Sequence, residues 1–279
     1  MNLRESFGRS ILDKLVQFNS SYNIHVNRIG QVRFGKFEYF LPQVVANWPQ
    51  AENPKDILLS GLVHGDEPAG GLAIIRFLEE RVTSYLKYFN FHCYPCVNPS
   101  GFETRRRENM LHVNLNRDFS NASDSQEVRL ILEALRQGPT KYAATIDLHE
   151  CDQNAIDPKE DYLPADNPSE FWMWETATLA SGLRIGENVI NDMNCSGIPV
   201  CRWPKIYGDK NNNGVIWYPE GNDNQFYVAG TSFDGYLYNH YTNHSFTLET
   251  PTHWLLERRI DTHVRAICSI LDHLKGLDS

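Results

Sequence analysis

The chain has 279 residues, of which 41% are hydrophobic and 12% aromatic, and its formal net charge is −9. This composition is sufficient for a buried core and excludes a disordered protein. The negative charge argues against a general nucleic-acid or anionic-membrane binder. The N-terminus lacks the apolar centre of a signal peptide, and no apolar run is long enough to span a membrane. The six cysteines are therefore expected to be free thiols in a cytoplasmic protein.

The first half of the chain alternates predicted strands with predicted helices. Residues 23–44 alternate around a glycine turn and predict a hairpin, and residues 56–63 form an apolar run typical of a buried strand. Pro68 suits the first turn of the helix that follows. A further strand begins at residue 89. A helix is predicted over 124–138, where Asp124 and Glu127 have the spacing of a capping box.

The second half continues this alternation. It predicts a buried strand over 142–150, a helix over 170–190, a short hairpin within 207–226, a strand over 244–251 and a helix over 253–276. Strands that alternate with helices predict an α/β fold with helices on both faces of a central sheet. No linker or repeat interrupts the pattern, so we expect one domain over residues 1–279.

Polar residues follow two of the predicted buried strands. His64 and Glu67 lie in "VHGDEP", and His149 ends the strand over 142–150. Imidazole and carboxylate groups are ligands of zinc, and a catalytic zinc needs three protein ligands and one open position. Asp147 shares a strand face with His149 and can fix its tautomer. Taken alone, "HGDE" is better explained as a turn in which the dipole of the following helix favours Glu67. The two strand ends together favour a metal site.

Two further segments carry candidate functional residues. The segment "TRRRENMLHVNLNRDF" contains three consecutive arginines, Arg105 to Arg107, followed by Asn116 and Arg117. An arginine fork beside an amide is suited to binding a carboxylate. Glu249 lies within the apolar strand over 244–251, and a carboxylate there is a candidate general base for hydrolysis. Pro251 also allows the alternative of an outward-facing glutamate on an edge strand.

Five short motifs in this order resemble the zinc carboxypeptidase family, which includes the related succinylglutamate desuccinylase and aspartoacylase deacylases. They extend over most of the chain, from His64 to Glu249, and read H-G-x-E (64–67), N-P-x-G (98–101), N-L-N-R (114–117), D-L-H (147–149) and F-T-L-E (246–249). The resemblance implies a mixed, twisted central sheet with helices on both faces, a fold also called phosphorylase/hydrolase-like. It also implies a zinc-dependent peptidase or amide hydrolase, acting on a small peptide or N-acyl amino acid with a free carboxylate.

The resemblance also implies a role for individual residues. It makes His64, Glu67 and His149 ligands of one zinc ion and Glu249 the general base. It assigns substrate-carboxylate binding to Asn116 and Arg117. One arginine of the cluster polarises the scissile carbonyl, and the R-x-N spacing favours Arg107 over Arg105 and Arg106. Tyr227 lies at the distance from Glu249 that matches the family's mobile-loop tyrosine.

Three departures leave alternatives open. The ending N-R-D, with Asp118, also occurs among deacylases of N-acyl amino acids, so both substrate classes stay possible. Phe233 would favour apolar substrate side chains and Asp234 basic ones. Glu150, directly after His149, could support a second metal together with Asp147 and Asp118. A metal-containing binding module without turnover is the alternative from another class of protein. The oligomeric state is not indicated.

Overall fold

We describe a computed structural model of the chain over residues 8–20, 23–152, 167–177, 184–219 and 230–276. An N-terminal helical segment runs from a π-helical turn (Gly8–Leu12) through a short α-helix, α1, to a 3-10 turn (Gln17–Ser20). The α-helices in these ranges are α1 (Asp13–Val16), α2 (Pro68–Glu80), α3 (Pro99–Thr104), α4 (Gln126–Gln137), α5 (Gly186–Cys195), α6 (Phe233–His240) and α7 (Leu256–Gly276).

The strands join in one mixed sheet. They are β1 (Ile24–Phe34), β2 (Phe37–Ala46), β3 (Lys55–Gly61), β4 (Phe89–Tyr94), β5 (Ala144–Cys151), β6 (Trp172–Ala177), β7 (Lys205–Ile206), β8 (Asp209–Asn212), β9 (Val215–Tyr218) and β10 (His244–Pro251). Within the described ranges their order is β1-β2-β4-β3-β5-β10-β6-β9-β8-β7. β3, β4, β5 and β10 are mutually parallel where they pair, and β1–β2 is the predicted antiparallel hairpin. Helices flank the sheet, which confirms the predicted fold class.

The central strands place the candidate functional residues at the end of the sheet where the parallel strands have their carboxyl ends. Every residue of β5 is buried, as expected of a parallel strand covered on both faces. β10 lies between β5 and β6, so Glu249 is not on an edge strand. β3 and β5 run in parallel, and their carboxyl ends therefore meet at the same edge. His64 and His149 come from these two strand ends.

The prediction of a helix over 170–190 is wrong in its first part. Trp172–Ala177 forms β6, which pairs antiparallel with β10 and parallel with β9, and the helix α5 begins only at Gly186. Bulky residues on both faces of this strand are buried between its neighbours, and strand pairing then outweighs the local helical spacing. Residues 178–183 lie outside the described ranges.

The predicted capping box is also wrong. The helix α4 begins after Ser125, whose side chain makes no capping hydrogen bond. Glu127 is instead fully buried and accepts hydrogen bonds from the Asn109 amide at 3.3 and 3.4 Å. The Asn109 side-chain oxygen in turn accepts from the backbone N–H groups of Leu111 and Val113. Glu127 therefore supports the turn that follows the arginine cluster.

Burial raises the pKa of Glu127 from 4.5 to about 7. The folded chain keeps a proton that the unfolded chain releases, so stability falls as pH rises from about 4.5 to about 7. We expect Glu127→Gln to match the wild type at pH 5 and to exceed its unfolding free energy by about 1–3 kcal/mol at pH 8. Urea denaturation at both pH values measures this difference. Glu133→Gln, at an exposed position of α4, is the control. An equal effect of Glu127→Gln at both pH values would contradict the expectation.

The buried apolar residues form a main core and a smaller cluster beside β6. The smaller cluster consists of Cys151, Trp172, Cys201, Ile206 and Ile216. All six cysteines are free, as predicted, and Cys93 and Cys96 are both buried. No helix in the described ranges has the length and apolarity to cross a bilayer.

Candidate metal centre

Three side chains converge at the carboxyl ends of β3 and β5. The His64 Nδ1 and His149 Nδ1 atoms each lie 2.8 Å from a different oxygen of Glu67, and they are 3.2 Å from each other. All three residues are buried. Among the described residues this is the group whose ligand atoms are close enough to hold one metal ion. The structure thus brings together the three residues that the sequence nominated as ligands.

The charges in this cluster are strongly coupled. Burial favours a neutral Glu67, but the two imidazoles outweigh it and hold its pKa well below the usual value of 4.5. Burial lowers the pKa of His64 from 6.5 to about 3, and the Arg107 charge adds to this effect. Burial also lowers the pKa of His149, but Asp147 and Glu67 outweigh it and raise that pKa well above 6.5. A cation at this position, whether a proton or a metal ion, stabilises the group.

A buried hydrogen-bond chain orients His149. The Ser60 hydroxyl donates to Asp147 Oδ1 at 2.6 Å, and Asp147 Oδ2 lies 2.9 Å from His149 Nε2. A carboxylate on one ring nitrogen fixes the tautomer and leaves the other nitrogen free to bind a metal. The predicted role of Asp147 matches this geometry. The role of Ser60 was not predicted, although a polar residue inside the apolar run over 56–63 was the available signal.

The glycine of "HGDE" is required by close packing. A Cβ added to Gly65 would lie 2.0 Å from the carbonyl carbon of Gly101. The H-G-x-E and N-P-x-G motifs are therefore in direct backbone contact. Asn98 Oδ1 accepts from the Gly101 N–H at 2.8 Å and so fixes the second of the two turns. A side chain at Gly65 would force the two motifs apart.

The same contacts select one arginine of the cluster. The Asn98 amide and the Gly65 N–H both donate to the Arg107 carbonyl, at 3.2 and 3.3 Å. Arg107 Nη1 then lies 3.1 Å from Glu67 Oε1. Arg105 and Arg106 are exposed. The structure therefore places Arg107 at the metal centre and the other two arginines at the surface.

Glu249 lies beside the cluster on the neighbouring strand. It is the register partner of His149 in the parallel β5–β10 pair, so both side chains project from the same face of the sheet. Burial raises the pKa of Glu249 from 4.5 to about 8, despite the opposing charge of His149. Its Oε2 atom is buried and has no hydrogen-bond partner. A buried carboxylate oxygen without a partner is costly unless a substrate, water or ion engages it.

Asn116 and Arg117 lie on the 3-10 turn Leu115–Arg117, next to α6. Asn116 Oδ1 accepts from the backbone N–H of Phe233 at 2.9 Å, and Arg117 Nη1 donates to the Asn116 carbonyl at 2.8 Å. Phe233 is fully buried and stacks on Phe119 with ring centroids 4.3 Å apart. These contacts attach the predicted carboxylate-binding pair to the start of α6.

The hydrogen bonds of Asp234 bear on whether Phe233 or Asp234 faces the substrate side chain. Its Oδ2 atom accepts from the Thr247 hydroxyl at 2.6 Å, and its Oδ1 atom accepts from the Gly235 N–H. Both carboxylate oxygens are thus engaged within the protein. Phe233 is 0% and Asp234 5% exposed, so both side chains lie inside the fold.

Two other candidate residues are placed as follows. Glu150 points away from the cluster: its carboxylate accepts from the Ala69 N–H at 2.6 Å and pairs with Arg259. The Asp118 side chain accepts from Ser123 and Ser125. Neither carboxylate is directed at a second metal. Tyr227 lies outside the described residues, so its role remains a prediction.

The donor set fits a zinc ion. Two imidazole nitrogens and one carboxylate are one of the ligand sets of catalytic zinc, and the three groups already face a common point. The unpartnered oxygen of Glu249 on the same sheet face agrees with a site that holds a polar reactant. The residues therefore support a metal ion at this position.

Comparison with known proteins agrees with this geometry. Residues 53–168 match the model of the succinylglutamate desuccinylase/aspartoacylase catalytic domain. A segment of 68 residues is 38% identical to carboxypeptidase SOL1 of Arabidopsis thaliana, and the match covers 21% of this chain and 14% of that protein. The chain thus corresponds to a small part of this curated relative.

Similar folds occur among solved structures. A protein of Shewanella amazonensis described as a "putative metallopeptidase" superposes with a TM-score of 0.71 at 21% identity, over 96% of this chain and 92% of that chain. A metallo-carboxypeptidase from Burkholderia cenocepacia gives 0.64 at 15% identity, over 95% and 68%. Carboxypeptidase A from Helicoverpa armigera gives 0.64 at 13% identity, over 95% and 71%. At these identities the likeness concerns the fold.

The matched catalytic domain indicates a hydrolase of the metallopeptidase or deacylase type. In sequence the chain is similar to the zinc carboxypeptidase-like family over residues 53–168, and in fold it is similar to the solved carboxypeptidase structures.

Proposed function

We propose that the protein is a zinc-dependent carboxypeptidase that hydrolyses an amide bond next to a free carboxylate. The observation that carries this proposal is the buried His64–Glu67–His149 cluster with Glu249 as the register neighbour of His149. In this arrangement zinc supplies Lewis acidity, which activates water and polarises a carbonyl when the ion is bound. The cluster residues would hold the ion.

The other residues would perform the proton transfers and orient the substrate. Glu249 accepts a proton from the attacking water on its free oxygen and returns it to the leaving amine. The Arg107 guanidinium, next to Glu67, stabilises the negative charge that develops on the carbonyl oxygen. Asn116 and Arg117 bind the substrate carboxylate and so restrict cleavage to bonds beside it.

A second candidate function is deacylation of N-acyl amino acids. The family match over residues 53–168 favours it, because that model describes desuccinylases and aspartoacylases. The same metal ligands, base and carboxylate-binding pair serve both reactions. The difference lies in the acyl group, which no described contact selects.

A substrate panel distinguishes the two functions. Zinc-loaded protein is assayed on N-blocked dipeptides, on N-acetyl and N-succinyl amino acids, and on the C-terminal amide of each. We expect cleavage of the dipeptides and no cleavage of the amides. Faster cleavage of N-acyl amino acids would assign the deacylase function. Binding of these compounds without hydrolysis of any would support a non-catalytic module.

Removal of the Arg117 guanidinium tests carboxylate binding. Arg117→Met deletes charge-assisted hydrogen bonds to the substrate, so we expect a loss of kcat/KM of about 10- to 100-fold, mainly through KM. Arg105→Met, at an exposed position of the same segment, is the matched control and should leave kcat/KM unchanged. Equal kinetics for the two variants would exclude Arg117 from substrate binding.

A further inference from the structure

On the sheet face opposite the candidate metal centre, the strands that carry His149 and Glu249 make buried polar contacts. Glu150 follows His149 in β5, and Thr250 follows Glu249 in β10. Side chains alternate along a strand, so Glu150 and Thr250 point away from the metal centre. The two are register partners and are 4% and 0% exposed. Each active-site residue thus has a buried polar neighbour directly behind it.

One helix supplies the partner of each neighbour. Arg259 of α7 pairs with the Glu150 carboxylate, and a 3.0 Å hydrogen bond joins His263 Nε2 to the Thr250 hydroxyl. Arg259 and His263 are four residues apart and therefore lie on the same side of the helix. The Arg259 side chain is 13% exposed, and His263 is fully buried. One turn of α7 therefore contacts the ends of β5 and β10 on the sheet face opposite the metal centre.

Glu150 is also joined to the turn that carries Glu67. Its Oε1 atom accepts from the Ala69 N–H at 2.6 Å, and its own backbone N–H donates to Glu67 Oε2 at 3.0 Å. Ala69 is in the first turn of α2, where backbone N–H groups have no partner within the helix. A displacement of Glu150 would therefore move the Glu67 carboxylate through two connections.

We propose that Arg259 and His263 are positioning residues that set the spacing between the metal ligands and the general base. The Arg259–Glu150 pair fixes the end of β5, which carries His149 and contacts Glu67. The His263–Thr250 hydrogen bond fixes the end of β10, which carries Glu249. This inference rests on the proposed function of the metal centre. It predicts that loss of the Arg259–Glu150 pair lowers metal affinity and that loss of the His263–Thr250 hydrogen bond lowers turnover.

Zinc affinity tests the first half. It is measured by competition with a chromogenic chelator, which requires no turnover. We expect Arg259→Met to weaken zinc binding roughly 10-fold, the lower end of the cost of losing a group bonded directly to a ligand, because Arg259 acts on Glu67 through Glu150. Arg259→Lys keeps the charge but not the planar fork, so its loss should be smaller. Arg265→Met, at an exposed position of the same helix, should bind zinc like the wild type.

The inference can be contradicted even if one of the two Arg259 variants does not fold. Equal affinity in folded Arg259→Met, Arg259→Lys and Arg265→Met proteins would overturn it. If circular dichroism shows that Arg259→Met is unfolded, Arg259→Lys alone decides by the same comparison. A wild-type protein that binds no zinc would instead reject the proposed metal centre.

Steady-state kinetics test the second half. Thr250→Val keeps the shape of the side chain and removes the hydroxyl. We expect zinc affinity to stay at the wild-type value, KM to stay unchanged and kcat to fall about 10-fold through misplacement of Glu249. An unchanged kcat would overturn this half, as would a change confined to KM.

Discussion

Glu249→Gln is expected to lower kcat by roughly 10³-fold while the bound zinc stays at the wild-type amount. Glutamine keeps the shape of the side chain but cannot accept a proton from water at the position where Glu249 has its unpartnered oxygen. KM should change by no more than a few-fold, because the carboxylate-binding pair is intact. Single-turnover and steady-state kinetics on one substrate from the panel measure the effect.

Glu187→Gln, an exposed glutamate on α5, is the matched control. It should retain wild-type kcat. If Glu249→Gln keeps kcat within a few-fold of this control, Glu249 is not the base. A loss of zinc in the Glu249 variant would instead identify it as a metal ligand.

His149→Ala is expected to abolish both metal binding and hydrolysis. The substitution removes one of three ligands and leaves the Asp147 carboxylate, with its Ser60 partner, facing an empty space. Zinc affinity should fall by at least about 100-fold, which is the upper end of the cost of losing only an outer partner. Elemental analysis after dialysis and the substrate assay together measure the result.

His25→Ala, exposed on the edge strand β1, controls for general effects of removing a histidine. It should keep a full complement of zinc. Retention of one zinc per chain by folded His149→Ala would show that the ion binds elsewhere, and the ligand set would then be wrong.

The candidate metal centre was predictable because strand periodicity and sheet topology are local and general rules. His64 and His149 each end an apolar run of strand length, and the carboxyl ends of adjacent parallel strands meet at one edge. The position of Asp147 followed from alternation along β5. The choice of Arg107 needed the resemblance, and the structure then supplied its contacts with Asn98 and Gly65.

Other features could not be predicted, because they depend on distant partners. The segment 172–177 carries apolar spacing that suits either a buried strand or a helix, and only its pairing with β10 and β9 decides. Glu150 follows His149, a proposed metal ligand, and its position in the sequence suggested a second metal. Its partner Arg259 is 109 residues away and reaches it only through the packing of α7.

We propose that one metal ion, held by the His64–Glu67–His149 cluster, makes this chain a hydrolase. The most direct measurement is activity during titration of metal-stripped protein with zinc. We predict no turnover in the stripped protein, followed by a linear rise in activity and a plateau at one equivalent of zinc per chain. Equal activity before and after zinc addition, or a plateau at two equivalents, would contradict the proposal.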